Sequence, residues 1–270
     1  MESIAVAVLA FFALGYLVLG GADLGVGVVL PFLARGDHER RLVVTAAAPF
    51  FLLNEVWLVA SVGLLAGAFP DLEADLVHDH HAALTLVLVG WVLRDAGLWL
   101  RGRVDALGWR RLWDAVTVSG SWAAAGGWGA LLAGVLTGAP GTSGAWPGGP
   151  TALVGMGAGV LGFALHGTAF AALRLTGAPR RRARLTPGRL PPGRLTPGRG
   201  EVLPFLVTGA LVLSAGLAAG IRLAPGGRTA DAASLDFLLP PLLIALPFLI
   251  GVQGWAWWVF RHRVTEPGYL

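Results

Sequence analysis

Cysteine is absent from the 270 residues, which excludes disulfides, thiolate metal centres and iron–sulfur clusters held by this chain. Lysine is absent as well, so all 20 basic residues are arginine; with 40 glycines beside them, this reads as a compositional bias and carries no mechanistic weight. Charge of either sign is scarce. Only 13% of residues are charged and 55% are hydrophobic, against roughly a quarter charged in an ordinary soluble domain. The isoelectric point near 10.8 would suggest nucleic acid in a soluble protein, but these arginines separate apolar runs, where they set membrane orientation instead. No nucleic-acid partner is expected.

What the chain does have is long apolar stretches: Ile4–Leu33, Leu42–Ala68, Ala82–Leu100, Leu112–Thr137, Thr151–Leu173, Val202–Leu223 and Phe237–Phe260. Each is long enough to cross a bilayer as a helix. The expected fold is therefore all-α, a polytopic membrane helix bundle of about seven spans forming a single membrane domain over residues 1–270. Residues 1–138 would be a four-helix N-terminal half and 151–270 a shorter C-terminal half. Between them, 174–201 reads as a disordered Arg/Pro/Gly linker, because Thr186-Pro-Gly-Arg-Leu, Pro191-Pro-Gly-Arg-Leu and Thr196-Pro-Gly-Arg cannot sustain a helix. The first run follows an acidic Glu2 and is too long for a signal-peptide core, so it is expected to be retained.

Seventeen of the twenty arginines fall in alternate connections and the tail: Arg35 to Arg41, Arg101 to Arg111, Arg174 to Arg199, then Arg261 and Arg263. The positive-inside rule then puts the N-terminus outside and the C-terminus in the cytoplasm. Trp91, Trp99, Trp109, Trp113, Trp146 and Trp255 to Trp258 sit mostly near span ends, as interfacial anchors do.

An ionisable group inside a span costs a few kcal/mol even on the gentlest insertion scale, so each one is a functional hypothesis. Here they are Asp23, Glu55, Arg94 with Asp95, Asp114 near a helix end, and His166, with Asn54 and Gln253 adding neutral polarity. At 1.5 Å per residue, Asp23 lies about 18 Å from Arg35 and Glu55 about 21 Å from Arg41, while Arg94, His166 and Gln253 are roughly 10 to 12 Å from the arginine ending each helix. The polar groups thus run from the midplane to the Arg-rich side. Asp23, Glu55, Arg94, His166 and Asp114 are candidates for a proton relay; the competing account is a buried ion triad in which Arg94 neutralises Asp23 or Glu55 and only fixes packing. No catalytic residue is expected in this chain itself.

Haem can be tested by counting ligands. His166 is the one His inside a span, and Met156 shares its helix, so the two cannot take opposite axial positions on one iron. The chain is expected to bind no haem alone. His78-Asp79-His80-His81 is read as a solvated cluster in an outer loop, and no metal site is expected. The glycines at Gly20-Gly21, Gly25, Gly27 and Gly126-Gly127 with Gly129 are placed for close helix packing.

Taken in order, several segments resemble subunit II of cytochrome bd-type quinol oxidases: Gly21-Ala22-Asp23-Leu24-Gly25-Val26-Gly27, then Asp37-His38-Glu39-Arg40-Arg41, then Ala48-Pro49 and Asn54-Glu55-Val56-Trp57-Leu58. Ala68-Phe69-Pro70, Arg94 with Gly97, Trp109-Arg110 with Trp113-Asp114, Gly120-Ser121, His166-Gly167 and Val259-Phe260-Arg261 continue the likeness. Three features depart from that family: Gly20 and Leu52 stand where it carries acids, the stretch Asp95 to Trp99 lacks a polar group one turn on, and Arg222 passes to Asp236 in a brief connection. The resemblance implies quinol oxidation coupled to dioxygen reduction, in a heterodimer whose subunit I carries haems b and d. Subunit II would be a lipid-embedded scaffold, able to relay protons and to hold a structural quinone. A transporter or channel, and a structural paralogue without oxidase role, are the alternatives.

Overall fold

A computed structural model describes residues 1–138, 149–184 and 198–268, all helices and connections without strands among the described residues. Eight helices follow one another: α1 Glu2–Leu33, α2 Asp37–Ala68, α3 Pro70–Leu100, α4 Leu107–Thr137, α5 Pro150–Arg174, α6 Gly177–Arg182, α7 Arg199–Leu223 and α8 Ala232–Val259. Six of them, all but α4 and α6, are long and apolar enough to cross a bilayer. At 31 residues α4 is as long, but its interior is rich in Gly, Ala, Ser and Trp and falls short of that apolarity.

The centre of the bundle is the second half of α1, where every residue from Gly20 to Leu30 is buried. A helix that is apolar on all sides belongs inside. It gets there because glycines let backbones touch: a Cβ on Gly25 would lie 1.9 Å from the Phe163 carbonyl oxygen and 2.7 Å from the Gly167 nitrogen of α5. The same device joins α4 to α5, since a Cβ on Gly129 would meet the Gly155 carbonyl oxygen at 2.1 Å. Outside lie α7 and α8, whose Ile221, Phe237, Ile244 and Phe248 are exposed as a lipid-facing or partner-facing surface must be.

Ion pairs tie one end of the bundle together, the end where the arginine-bearing connections meet. Arg101 contacts Asp114 at 2.6 Å and Asp37 at 2.8 Å, Arg40 reaches Asp114 at 3.1 Å, and Arg110 reaches Asp37 at 3.0 Å. At the opposite end, Arg228 pairs with Asp75, and the Ala230 amide donates to the Ala68 carbonyl.

Two expectations change. The stretch before Ala82 is not a loop, because α3 begins at Pro70: proline suits the first helical position, Asp71 and Glu73 favour the N-terminal dipole, and Phe69 and Leu72 are buried. His78, His80 and His81 therefore sit on a helix, kinked at His80. The supposed linker 174–201 also starts in order. Residues 177–182 form α6, and its Arg180 and Arg182 are drawn inward to Glu201 and Glu39. Composition signalled the prolines and glycines there but not the carboxylates waiting for those arginines. Residues 185–197, which hold most of the Thr-Pro-Gly-Arg repeats, and Trp146 lie outside the described residues.

Candidate functional site

The polar groups that hydropathy flags inside the bundle converge on Arg94. Its Nη1 donates to Asp23 Oδ1 at 2.9 Å, its Nη2 to Glu55 Oε1 at 2.6 Å, and its Nε to Asp95 Oδ1 at 2.9 Å. Four helical positions on three helices thus meet at one guanidinium. Its planar fork is suited to gripping several carboxylates at once. The Arg94 and Asp23 side chains are only 4% and 3% exposed, whereas Glu55 and Asp95 are 13% and 19% exposed, so the cluster opens on the α2–α3 side.

A chain of neutral hydrogen bonds extends it. Asn54 Nδ2 donates to Asp23 Oδ2 at 2.8 Å and to the Leu19 carbonyl at 2.9 Å; Gln253 Nε2 donates to Asn54 Oδ1 at 3.0 Å; Trp57 Nε1 donates to Gln253 Oε1 at 3.2 Å. Trp91 Nε1 donates to Glu55 Oε1 at 2.9 Å. Every buried polar atom in this string has a partner, the condition for holding it inside a bundle.

Three carboxyls around one guanidinium leave an excess of acid in a low-dielectric place. A cavity of about 20 Å³ is lined by Asp23 and Arg94 and, on the side of the Arg-rich end, by Leu30, Val43, Leu98 and Thr117. That volume holds roughly one water. Toward the other end the bundle is shut by Phe12, Leu64, Phe69, Leu72 and Leu239, all fully or almost fully buried.

The remaining candidates lie elsewhere. Asp114 is buried at the Arg-rich end between Arg101 and Arg40, one helical turn before Thr117. His166 is fully buried on α5, stacked on Phe205 at 4.8 Å between ring centres. Its Nε2 meets the Val18 carbonyl at 2.9 Å and its Nδ1 the Thr208 hydroxyl at 2.9 Å. A carbonyl only accepts, so Nε2 carries the proton, and in the neutral ring Nδ1 accepts from Thr208. Both ring nitrogens of His166 are thus engaged inside the bundle. The other histidines lie at the ends of the bundle.

A second buried ionic cluster was not anticipated. Glu201, at the start of α7, accepts from Arg180 Nη2 at 2.5 Å and from Arg263 Nη2 at 3.0 Å. Arg263 also donates to the Ala172 and Leu175 carbonyls that end α5, and the Arg174 carbonyl accepts from the Val264 amide. The segment after α8 is thereby clamped onto α5, α6 and α7. A sequence signal existed: Glu201 is the only carboxylate between Asp114 and Asp231.

Fold and cluster together define a multi-pass helical membrane protein with an acid–arginine centre inside its bundle. The chain belongs to the cytochrome bd terminal oxidase subunit II family, which it matches over residues 1–190. It is 36% identical over 107 residues to the cytochrome bd ubiquinol oxidase subunit 2 of Bacillus subtilis, a stretch covering 40% of this chain and 32% of that one. It is 36% identical over 101 residues to the cytochrome bd-I ubiquinol oxidase subunit 2 of Escherichia coli, covering 37% and 27%. The matched stretch spans about a third of the length of these relatives. Family and helices together make this a multi-pass protein of the bacterial plasma membrane.

Proposed function

We propose that this chain is the second subunit of a quinol:oxygen oxidoreductase of the cytochrome bd type, scaffolding a haem-bearing subunit I and relaying protons toward it from the cytoplasm. The observation that carries the relay is the Asp23–Arg94–Glu55–Asp95 centre, with its cavity directed to the Arg-rich end and an apolar seal on the other side. A carboxylate surplus in a dry site can be neutralised by a proton, and a one-ended approach suits delivery into the membrane rather than passage across it. A transporter needs midplane groups reachable in turn from both faces, so the sealed end favours the relay.

In this reading α4 is the seventh span, the Arg-rich end faces the cytoplasm and the N-terminus lies outside. Protons enter at Asp37, Arg101 and Asp114, pass the Thr117 cavity and reach Asp23. His166 acts as a packing node between α1, α5 and α7. Haems b and d reside in subunit I, quinol is oxidised there, and a quinone held structurally by this chain belongs to the same proposal. The test is co-expression with a haem-binding subunit I. The expected result is a haem-containing heterodimer that consumes oxygen with quinol, and no haem absorption from this chain alone. About one haem per isolated chain in a pyridine haemochrome assay would overturn the assignment.

A further inference from the structure

Two adjoining hollows mark the outer surface where α1, α2 and α4 meet at the Arg-rich end. One, of about 470 Å³, runs between Leu30 and Pro31 on one wall and Ala115, Val118 and Trp122 on the other. The second, of about 480 Å³, opens beyond it at Gly36, Asp37 and Leu107. Arg40 and Arg111 line both, so the two guanidiniums stand where the apolar groove meets the polar mouth.

Charge decides what such a groove prefers. Asp114 is already gripped by Arg101 at 2.6 Å and Asp37 by Arg101 and Arg110. Arg111 is exposed and has no hydrogen bond or ion pair among the described residues. Arg40 gives one nitrogen to Asp114 at 3.1 Å and keeps its side chain 31% exposed. Positive charge at this mouth therefore exceeds negative. From Arg111 to Trp122 the groove follows α4 for about 16 Å, close to the roughly 15 Å depth of one hydrocarbon leaflet.

We propose that this groove binds one phospholipid with an anionic headgroup, its phosphate held between Arg40 and Arg111 and an acyl chain laid along Leu30, Val118 and Trp122. The guanidinium fork matches phosphate oxygens, and basic pockets between membrane helices are where such headgroups settle. A quinone offers the same apolar tail but no charge for the two arginines. The groove is lined by Asp37 and Asp114, which the proposed relay uses as its entrance, so the substitutions that test it are placed at Arg111 and Ala115 and leave both carboxylates intact.

The test is lipid retention by the full chain in mild detergent, measured by native mass spectrometry with phosphatidylglycerol or phosphatidylcholine of identical acyl chains. Wild type should keep about one phosphatidylglycerol and little phosphatidylcholine. Arg111→Gln, at an exposed residue without partners, should lower retention about fivefold, the worth of one basic group near an anionic surface. Ala115→Trp, which fills the groove and leaves both arginines, should lower it as well. Equal retention of the two lipids, or unchanged retention in either variant, overturns the proposal. So does displacement of the lipid from the wild-type protein by inorganic phosphate alone, which would leave the acyl groove no part in binding, or extraction of a quinone from this site. Loss of pairing with subunit I in Ala115→Trp, with lipid retention intact, would give the groove to a polypeptide.

Discussion

Glu55→Gln is the perturbation that separates a proton relay from a packing triad most cleanly. Arg94 and Trp91 both donate to the same oxygen, Oε1, at 2.6 and 2.9 Å. A glutamine keeps that oxygen for both donors. Shape and bonds survive; the exchangeable carboxyl proton does not. Asp23→Asn is harsher. Both carboxylate oxygens accept there, one from Arg94 and one from Asn54, so one charge-assisted bond is lost, a penalty of about 1.5–3 kcal/mol. Arg94 still has two carboxylates, so neither variant strands a charge. Arg94→Gln strands three and should cost about 3–5 kcal/mol or more, enough to prevent assembly given that total stabilities run to only about 5–15 kcal/mol. The assay is oxygen consumption per haem in membranes carrying each variant with subunit I. Glu55→Gln and Asp23→Asn should keep normal haem content while turnover falls about tenfold or more, as loss of a positioned proton donor does. Undiminished turnover per haem in both single variants and in the double variant would refute the relay and leave packing as the cluster's role.

Gly25→Ala should destabilise the detergent-solubilised chain by about 1–3 kcal/mol or more through its clash with the α5 backbone, while Gly63→Ala, which meets nothing within 4 Å, should be neutral or stabilising; paired thermal midpoints by size-exclusion chromatography decide, and equal midpoints would dispose of the contact. Glu201→Gln leaves Arg180 and Arg263 buried without their counter-charge, so the midpoint should drop by the equivalent of about 3–5 kcal/mol; an unchanged midpoint would mean that the tail clamp does not hold α5 to α8 together. Reporter fusions between Arg180 and Arg199 and after Arg263 should report cytoplasm and those near Glu73 the outside; a tail found outside would reverse the proposed entry of protons.

Hydropathy located the helix cores because lipid demands long apolar runs, and it located Asp23, Glu55 and Arg94 because charges are rare in such runs. It was less informative where polar residues are helical for other reasons. The start of α3 at Pro70 depends on a proline, a dipole and two buried side chains, none of which raises hydropathy. Depth counting along the helices put Arg94 nearer the Arg-rich end than Asp23, yet the two are bonded. A helical side chain leans toward the N-terminus of its helix, and α3 runs toward the Arg-rich end, so the long arginine stem carries its charge back to the midplane. His166 and Asp114 have suitable depths but face other neighbours, and the rotation of a helix about its own axis is set by packing that a linear pattern does not contain. Asn54 and Gln253 were visible as polarity; that one orients the other was not.

That pairing bears on how the two parts of the chain cooperate. The family match ends at residue 190, before α7 and α8 begin. Yet the acid–arginine centre is completed from beyond that boundary. Trp57 donates to Gln253 Oε1, which turns the Gln253 amide toward Asn54 Oδ1, and this in turn points Asn54 Nδ2 at Asp23. Each link fixes the next, because an amide has one accepting end and one donating end. Thr208 of α7 fills the same role for His166, and Glu201 with Arg263 fastens α7 and the tail to α5. The part of the chain beyond the family match is thus bound into the centre through hydrogen bonds whose direction matters, which restricts the side chains it can carry at 201, 208, 253 and 263.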